Sequence, residues 1–284
     1  MNVRTWKGIL QLVRLPNLFT AAADSVAGLL TGTALTTVNG TWTQQDVVAH
    51  LPGVCAVGLT PACVYAFGVV LNDIADQDDD AAQRPERPIP SGTVSPAAAR
   101  RLASVLLVVA VLSAAVALWF IRPTSTADAV WASAAIVALV VCVIAYNTKL
   151  KHTPAGPIAM GLCRGLNFTW AYLAASGPAA DGNGIALGLT VYVAGLTLFA
   201  RTETEDSSRS ATATAGCIML AGIAVLGYFG ARWPVASGEL VRWTSLFILL
   251  AGWLAFRCVW VLQKPSPKRV QLVVTQAIFG LIVL

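Results

Sequence analysis

The sequence predicts an all-α polytopic membrane protein with nine transmembrane helices around a central cavity. Three observations predict it. Charged residues make up 12% of the chain and hydrophobic residues 56%, with a mean hydropathy of +0.69; a soluble domain carries about 25% charged residues. Apolar runs long enough to cross a bilayer recur along the whole chain, a span needing about 20 residues. Runs such as 102–120 do not alternate apolar with polar residues, as the strands of a membrane β-barrel would.

The spans follow in order. The first, about 15–36, is apolar apart from polar points that include Asn17 and Asp24. No cleavage site stands out ahead of it, so it is expected to act as its own insertion signal. The second, 52–71, ends abruptly on an acidic stretch, and the third, 102–121, starts behind Arg100 and Arg101. The fourth, 127–146, closes on Tyr146, and the fifth, 156–176, carries Arg164 and Asn167. The sixth, 184–201, ends at a second acidic stretch; 211–230 and 242–262 follow. The ninth, 270–284, has about fifteen residues. The expected unit is one domain over 1–284: two four-helix halves, about 15–146 and 156–262, plus the ninth helix. The six cysteines sit in or beside apolar runs without paired short spacing, and read as small helix residues with neither a zinc site nor a disulfide.

Lys and Arg set the orientation. The N-terminus and the loops after spans 2, 4, 6 and 8 carry fourteen of the nineteen basic residues, and the opposite loops carry Arg122, Arg232 and Arg242. The expected topology has a cytoplasmic N-terminus, in a bacterial plasma membrane. The net charge of +5 then reflects topology and calls for no nucleic-acid partner.

Eight of the fourteen acids fall in two stretches, 72–80 and 203–206, both on that cytoplasmic side. In the first, Asn72, Asp73, Asp76 and Asp80 stand at i, i+1, i+4 and i+8. On a continuing helix Asp73, Asp76 and Asp80 share one face. Such hard oxygen donors suit Mg²⁺, which binds through one or two carboxylates plus ligand phosphates. The segment behind them, Arg84-Pro85-Glu86-Arg87-Pro88-Ile89-Pro90-Ser91-Gly92, is expected to be an ordered, extended loop, its prolines forbidding a helix. Arg84 and Arg87 suit bidentate phosphate contact. Lys149 and Lys151, after the fourth span, could hold a diphosphate or anchor the interface. Glu203 and Asp206 share a face at i, i+3. Within the membrane, Asp24 and Arg164 mark either a function or a buried pair.

The pattern Asn72-Asp73-x-x-Asp76-x-x-x-Asp80 followed by Arg-Pro-x-Arg-Pro-Ile-Pro-Ser-Gly resembles the first aspartate-rich motif of the UbiA superfamily of intramembrane prenyltransferases. Gly161–Asn167 and the run around Asp24 look like its EboC-like branch. The resemblance implies nine helices and a site at the cytoplasmic face. It implies Mg²⁺ held by Asn72, Asp73, Asp76 and Asp80, with Glu203 and Asp206 as a divergent second motif, so that one or two ions remain open. It implies a prenyl diphosphate donor bound by Asn72, Arg84, Arg87, Lys149, Lys151, Arg164, Asn167, Asn17 and Arg14. Asp73, Asp76 and Asp24 would take catalytic roles, and a small aromatic or hydroxyl acceptor would capture the prenyl group. The family's Tyr–Lys signature is shifted here, leaving Lys149 and Lys151 both eligible. A terpene cyclase of the same superfamily and, more remotely, an ion or lipid transporter are the rival readings.

Overall fold

The computed structural model describes residues 3–13, 18–36, 44–121, 123, 125–178, 180–203, 209–232, 237–264 and 266–280. They form helices and turns. A short amphipathic helix α1 (Val3–Val13) precedes α2 (Leu18–Thr36) and α3 (Gln44–Ala75). After α4 (Gln77–Gln83) come α5 (Pro96–Ile121), α6 (Thr126–Ala145) and α7 (Gly156–Ser176). The remainder is α8 (Ala180–Arg201), α9 (Arg209–Ala231), α10 (Ser237–Gln263) and α11 (Pro267–Gly280). The described part of each expected span falls on a helix; 15–17 and 281–284 of the first and ninth lie outside the described residues. Among the described residues six helices (α3, α5, α6, α8, α9 and α10) are long and apolar enough to cross a membrane. The chain is a multi-pass integral membrane protein.

α7 is the centre of the packing. It lies against α2, α6 and α8, while α3 pairs with α5 and α8 with α9. Phe168, Trp170 and Tyr172 of α7 are fully buried. α2 and α7 can touch backbone to backbone because Gly28 has no side chain: a Cβ there would stand 2.3 Å from the Phe168 carbonyl oxygen. Close approach through small residues is how helices gain contact in lipid, where apolar burial drives little association. The large exposed apolar residues, among them Leu112 and Trp119 of α5 and Ile248, Leu249 and Phe256 of α10, form the lipid-facing surface.

Three local expectations change. α1 is a helix of its own, with Trp6 and Leu10 exposed and Leu12 buried; an eleven-residue amphipathic stretch carries too little apolar length to register as a span. α3 runs on to residue 75, and the chain turns at Asp76 before α4. The 84–95 segment is ordered but coiled into successive turns instead of extended. Arg87 N–H bonds to Arg84 C=O, Ser91 to Arg87, Gly92 to Ile89 and Val94 to Pro88. The prolines preset φ for turns as readily as for extended chain, and burial of Pro88, Ile89 and Val94 decides for turns.

Candidate functional site

The ends of α3, α6, α7 and α8 meet at one end of the bundle. The four donors stand in two pairs, Asn72 with Asp76 and Asp73 with Asp80, each bridged by a cation. In one pair Asn72 Nδ2 donates to Asp76 Oδ2 (3.0 Å), and Lys151 Nζ donates to Asn72 Oδ1 (3.1 Å) and to Asp76 Oδ1. In the other, Arg87 Nη1 donates to Asp80 Oδ2 (2.6 Å) and lies 3.6 Å from Asp73 Oδ1. Asp73 and Asp80 are buried. The second pair opens onto a polar pocket lined by Gln11, Asp73, Glu86, Arg87 and Pro88.

Lys151 reaches Asp76 because α6 ends in a π turn, Tyr146–Leu150. The Lys151 N–H bonds to the Tyr146 carbonyl five residues back, at 3.0 Å. A π turn holds one residue more than an α turn and recurs at functional sites. It turns Lys151 toward the acidic motif, while Lys149 is exposed. The backbone just beyond is held from α8: Arg201 Nη1 donates to Thr153 O (2.9 Å) and Nη2 to Lys151 O.

An apolar cavity of about 200 Å³ opens beside Asn72. Pro61, Val64, Tyr65 and Val69 of α3 line one wall, Leu139, Val143 and Tyr146 another, and Met160, Arg164 and Asn167 the α7 side. Along α3 it extends from Asn72 to Pro61, about 16 Å of helix. Behind Arg164 lies a buried network. Arg164 Nη1 donates to Asp24 Oδ2 (2.6 Å) and Nη2 to Thr20 Oγ1 (2.8 Å). Asn167 Nδ2 donates to Ala21 O (2.7 Å) and Asp24 Oδ2 (3.3 Å), Ser25 Oγ to Asn167 Oδ1 (2.9 Å), and Trp170 Nε1 to Ser25 Oγ (2.9 Å). Arg164 and Asn167 line the cavity and Asp24 does not.

The expected residues are thus only partly gathered. Asn72, Asp73, Asp76, Asp80, Arg87 and Lys151 come together; Arg164 and Asn167 stand along the cavity. Arg84 is exposed at the end of α4. Glu203 accepts a bond from Gln271 Nε2 of α11 (2.5 Å), away from the first motif. Arg14, Asn17 and Asp206 lie outside the described residues. Sequence reasoning missed Arg201 as a clamp, because the carbonyls it holds are visible only in the fold.

Among the described residues no three His, Cys, Asp or Glu side chains converge on one point. The donor set still fits Mg²⁺, since each cation-bridged pair presents only hard oxygens, and a phosphate-borne Mg²⁺ needs one or two carboxylates.

A helical membrane bundle with an acid-and-cation cluster over an apolar cavity defines a class: an intramembrane protein equipped for an anionic head and an apolar tail. The family model for the UbiA prenyltransferase family matches residues 33–279, and the chain belongs to that family. Curated relatives include the digeranylgeranylglyceryl phosphate synthase of Methanothrix thermoacetophila, 32% identical over 169 residues (59% of this chain, 55% of the relative). That of Hyperthermus butylicus is 36% identical over 110 residues (39% and 33%). The matches span from a third to just over half of these archaeal relatives. Among solved structures, one described as a digeranylgeranylglyceryl phosphate synthase in membranes superposes with a TM-score of 0.68 at 17% identity, covering 98% of this chain and 96% of that one. A UbiA homolog from Archaeoglobus fulgidus bound to DMAPP and Mg²⁺ superposes with a TM-score of 0.58 at 14% identity, covering 97% and 99%. These two share the fold.

Proposed function

We propose that this protein transfers a prenyl group from a prenyl diphosphate to a small acceptor within the membrane, releasing diphosphate. One observation carries the reading: the Asn72–Asp76–Lys151 cluster stands at the opening of an apolar cavity. A charged head and a hydrocarbon tail are the two halves of a prenyl diphosphate. The relatives' name, and the DMAPP and Mg²⁺ bound by the Archaeoglobus homolog, support the same chemistry. Mg²⁺ held by Asn72, Asp73, Asp76 and Asp80 would supply charge neutralisation for the departing diphosphate.

Lys151 and Arg87 hold the carboxylates in place and present cationic N–H groups to phosphate oxygens. As the C1–O bond breaks, its electron pair leaves with the diphosphate, and these cations stabilise the charge that builds there. The cavity keeps water from the allylic cation. The acceptor nucleophile then bonds to C1 and gives up its proton to the departing diphosphate. Asp24, set behind Arg164, positions that guanidinium instead of taking the proton itself. The relatives' name favours a hydroxyl over an aromatic acceptor, since a digeranylgeranylglyceryl phosphate carries its prenyl groups on a glyceryl unit. The chain works as one domain whose two four-helix halves meet at this site. The basic-residue asymmetry supports a cytoplasmic side for the site and the N-terminus. The EboC-like likeness rests on the segments around Asp24 and Gly161–Asn167 alone.

The test is release of diphosphate from a prenyl diphosphate by the purified chain in detergent or nanodiscs. Asp76→Ala, Asp73→Ala and chelation by EDTA are each expected to abolish it, with Mg²⁺ restoring the chelated sample. Full turnover in either variant defeats the proposed metal role. A cyclic product formed without any acceptor defeats transfer in favour of cyclisation.

A further inference from the structure

Outside this site, α10 faces lipid along Ile248, Leu249, Phe256 and Val259, yet carries Arg257 within its apolar span. Arg257 lies six residues before the last residue of α10, about 9 Å along the axis. It sits at the same end of the bundle as the acidic cluster. Its guanidinium carbon is 5.7 Å from the Trp253 ring centre and 5.8 Å from that of Trp260. Arg269 of α11 lies 4.0 Å over the Trp260 ring and donates from Nη1 to Trp260 O (2.8 Å). Two arginines and two indoles therefore form one cluster.

Arg257 is half-buried, and among the described residues its guanidinium makes no hydrogen bond or ion pair; its Nε is buried without a partner. Indole faces attract the charge but do not accept the fork of N–H groups. At membrane depth such donors need an oxygen acceptor. Among the described residues no carboxylate pairs with either arginine: Glu203, which reaches α11, bonds Gln271 instead, and no Asp or Glu occurs from Leu240 to Leu284. Lys264 and Lys268, both exposed, add positive charge at the rim.

We propose that Arg257 and Arg269, framed by Trp253 and Trp260, bind the headgroup phosphate of an anionic membrane phospholipid. Guanidinium matches phosphate in planar, bidentate geometry. The exposed apolar face of α10 lies beside it to receive the acyl chains, which favours a lipid over a soluble phosphate. The rim charge favours a net-anionic lipid over a zwitterionic one. The site is separate from the proposed donor site and does not depend on it.

Native mass spectrometry of the detergent-purified chain titrated with phosphatidylglycerol or phosphatidylcholine tests this. Wild type is expected to retain phosphatidylglycerol about thirtyfold better, from about fivefold for each of the two arginines near the surface. Arg257→Gln with Arg269→Gln should bring the two lipids level. Arg257→Lys, which keeps the charge without the fork, should fall between and serves if the double variant does not fold. Arg242→Gln, at the opposite end of the same helix, should retain the preference. Equal retention of both lipids by wild type, or an unchanged preference in Arg257→Lys and the double variant, overturns the site. Displacement of phosphatidylglycerol by millimolar glycerol phosphate assigns it to soluble phosphates and overturns the lipid.

Discussion

Gly156→Ala is the sharpest probe of how the site is held. Gly156 opens α7 directly beside the Arg201 clamp. A Cβ there would stand 2.3 Å from Arg201 Nη2, 2.8 Å from Leu150 O and 2.9 Å from Lys151 O. The guanidinium tip can swing aside, but the two carbonyls belong to the π turn and its exit and cannot. The variant should therefore lose the two bonds Arg201 makes to Thr153 O and Lys151 O. Hydrogen bonds from a charged donor contribute about 1.5–3 kcal/mol each, and half-exposure of Arg201 places these at the low end. Against that, alanine gains up to about 1 kcal/mol over glycine in a helix. The net expectation is a loss of about 2 kcal/mol. Function should suffer with it, because the backbone that carries Lys151 onto Asp76 loosens. The apparent KM for a prenyl diphosphate should rise about tenfold, the equivalent of 1.4 kcal/mol. Thermal unfolding in detergent and diphosphate release against donor concentration measure the two effects. Arg201→Ala should match Gly156→Ala, and the double variant should be little worse than either, since both remove one interaction. A Gly156→Ala protein as stable as wild type, with the same KM, refutes the clamp.

Two further outcomes follow from the same geometry. Asp24→Ala leaves Arg164 buried without its anion and should cost about 3–5 kcal/mol, whereas replacing both partners by leucine should restore most of the stability; unfolding in detergent reads both. Deleting exposed Thr148 should relax the π turn to a regular α turn and keep Lys151 on Asp76, so activity should survive, while deleting Ala145 or Lys151 in its place should abolish it.

Much of the fold was legible because lipid imposes a simple grammar. Backbone groups must be satisfied within each segment, so long apolar runs such as 102–121 and 127–146 read as helices; the ends fell within one residue of α6, while α5 starts six residues earlier than expected. The candidate site was legible in residue type. Asp73, Asp76 and Asp80 stood out as costly carboxylates, with the Asn72 amide beside them, in a chain poor in charge. Their arrangement was less so. Periodicity put Asp73, Asp76 and Asp80 on one face; the fold divides them, Asp76 going to Lys151 and Asp73 and Asp80 to Arg87. The choice between Lys149 and Lys151 was beyond spacing alone, since an α turn and a π turn direct different residues to the same face.

Composition and hydropathy alone determined the membrane class, the positions of the long helices and the acidic motif, because each follows from local chemistry repeated along one segment. The tertiary structure decided what depends on contacts between segments distant in sequence. It brought Lys151 to Asn72 and Asp76 across 79 and 75 residues, and Arg164 to Asp24 across 140. It set Arg201 against the 151–153 backbone and set Asp24 behind Arg164, away from the cavity wall. Such pairings rest on helix packing and close glycine contacts, and a charge's partner cannot be read from a single helix's periodicity.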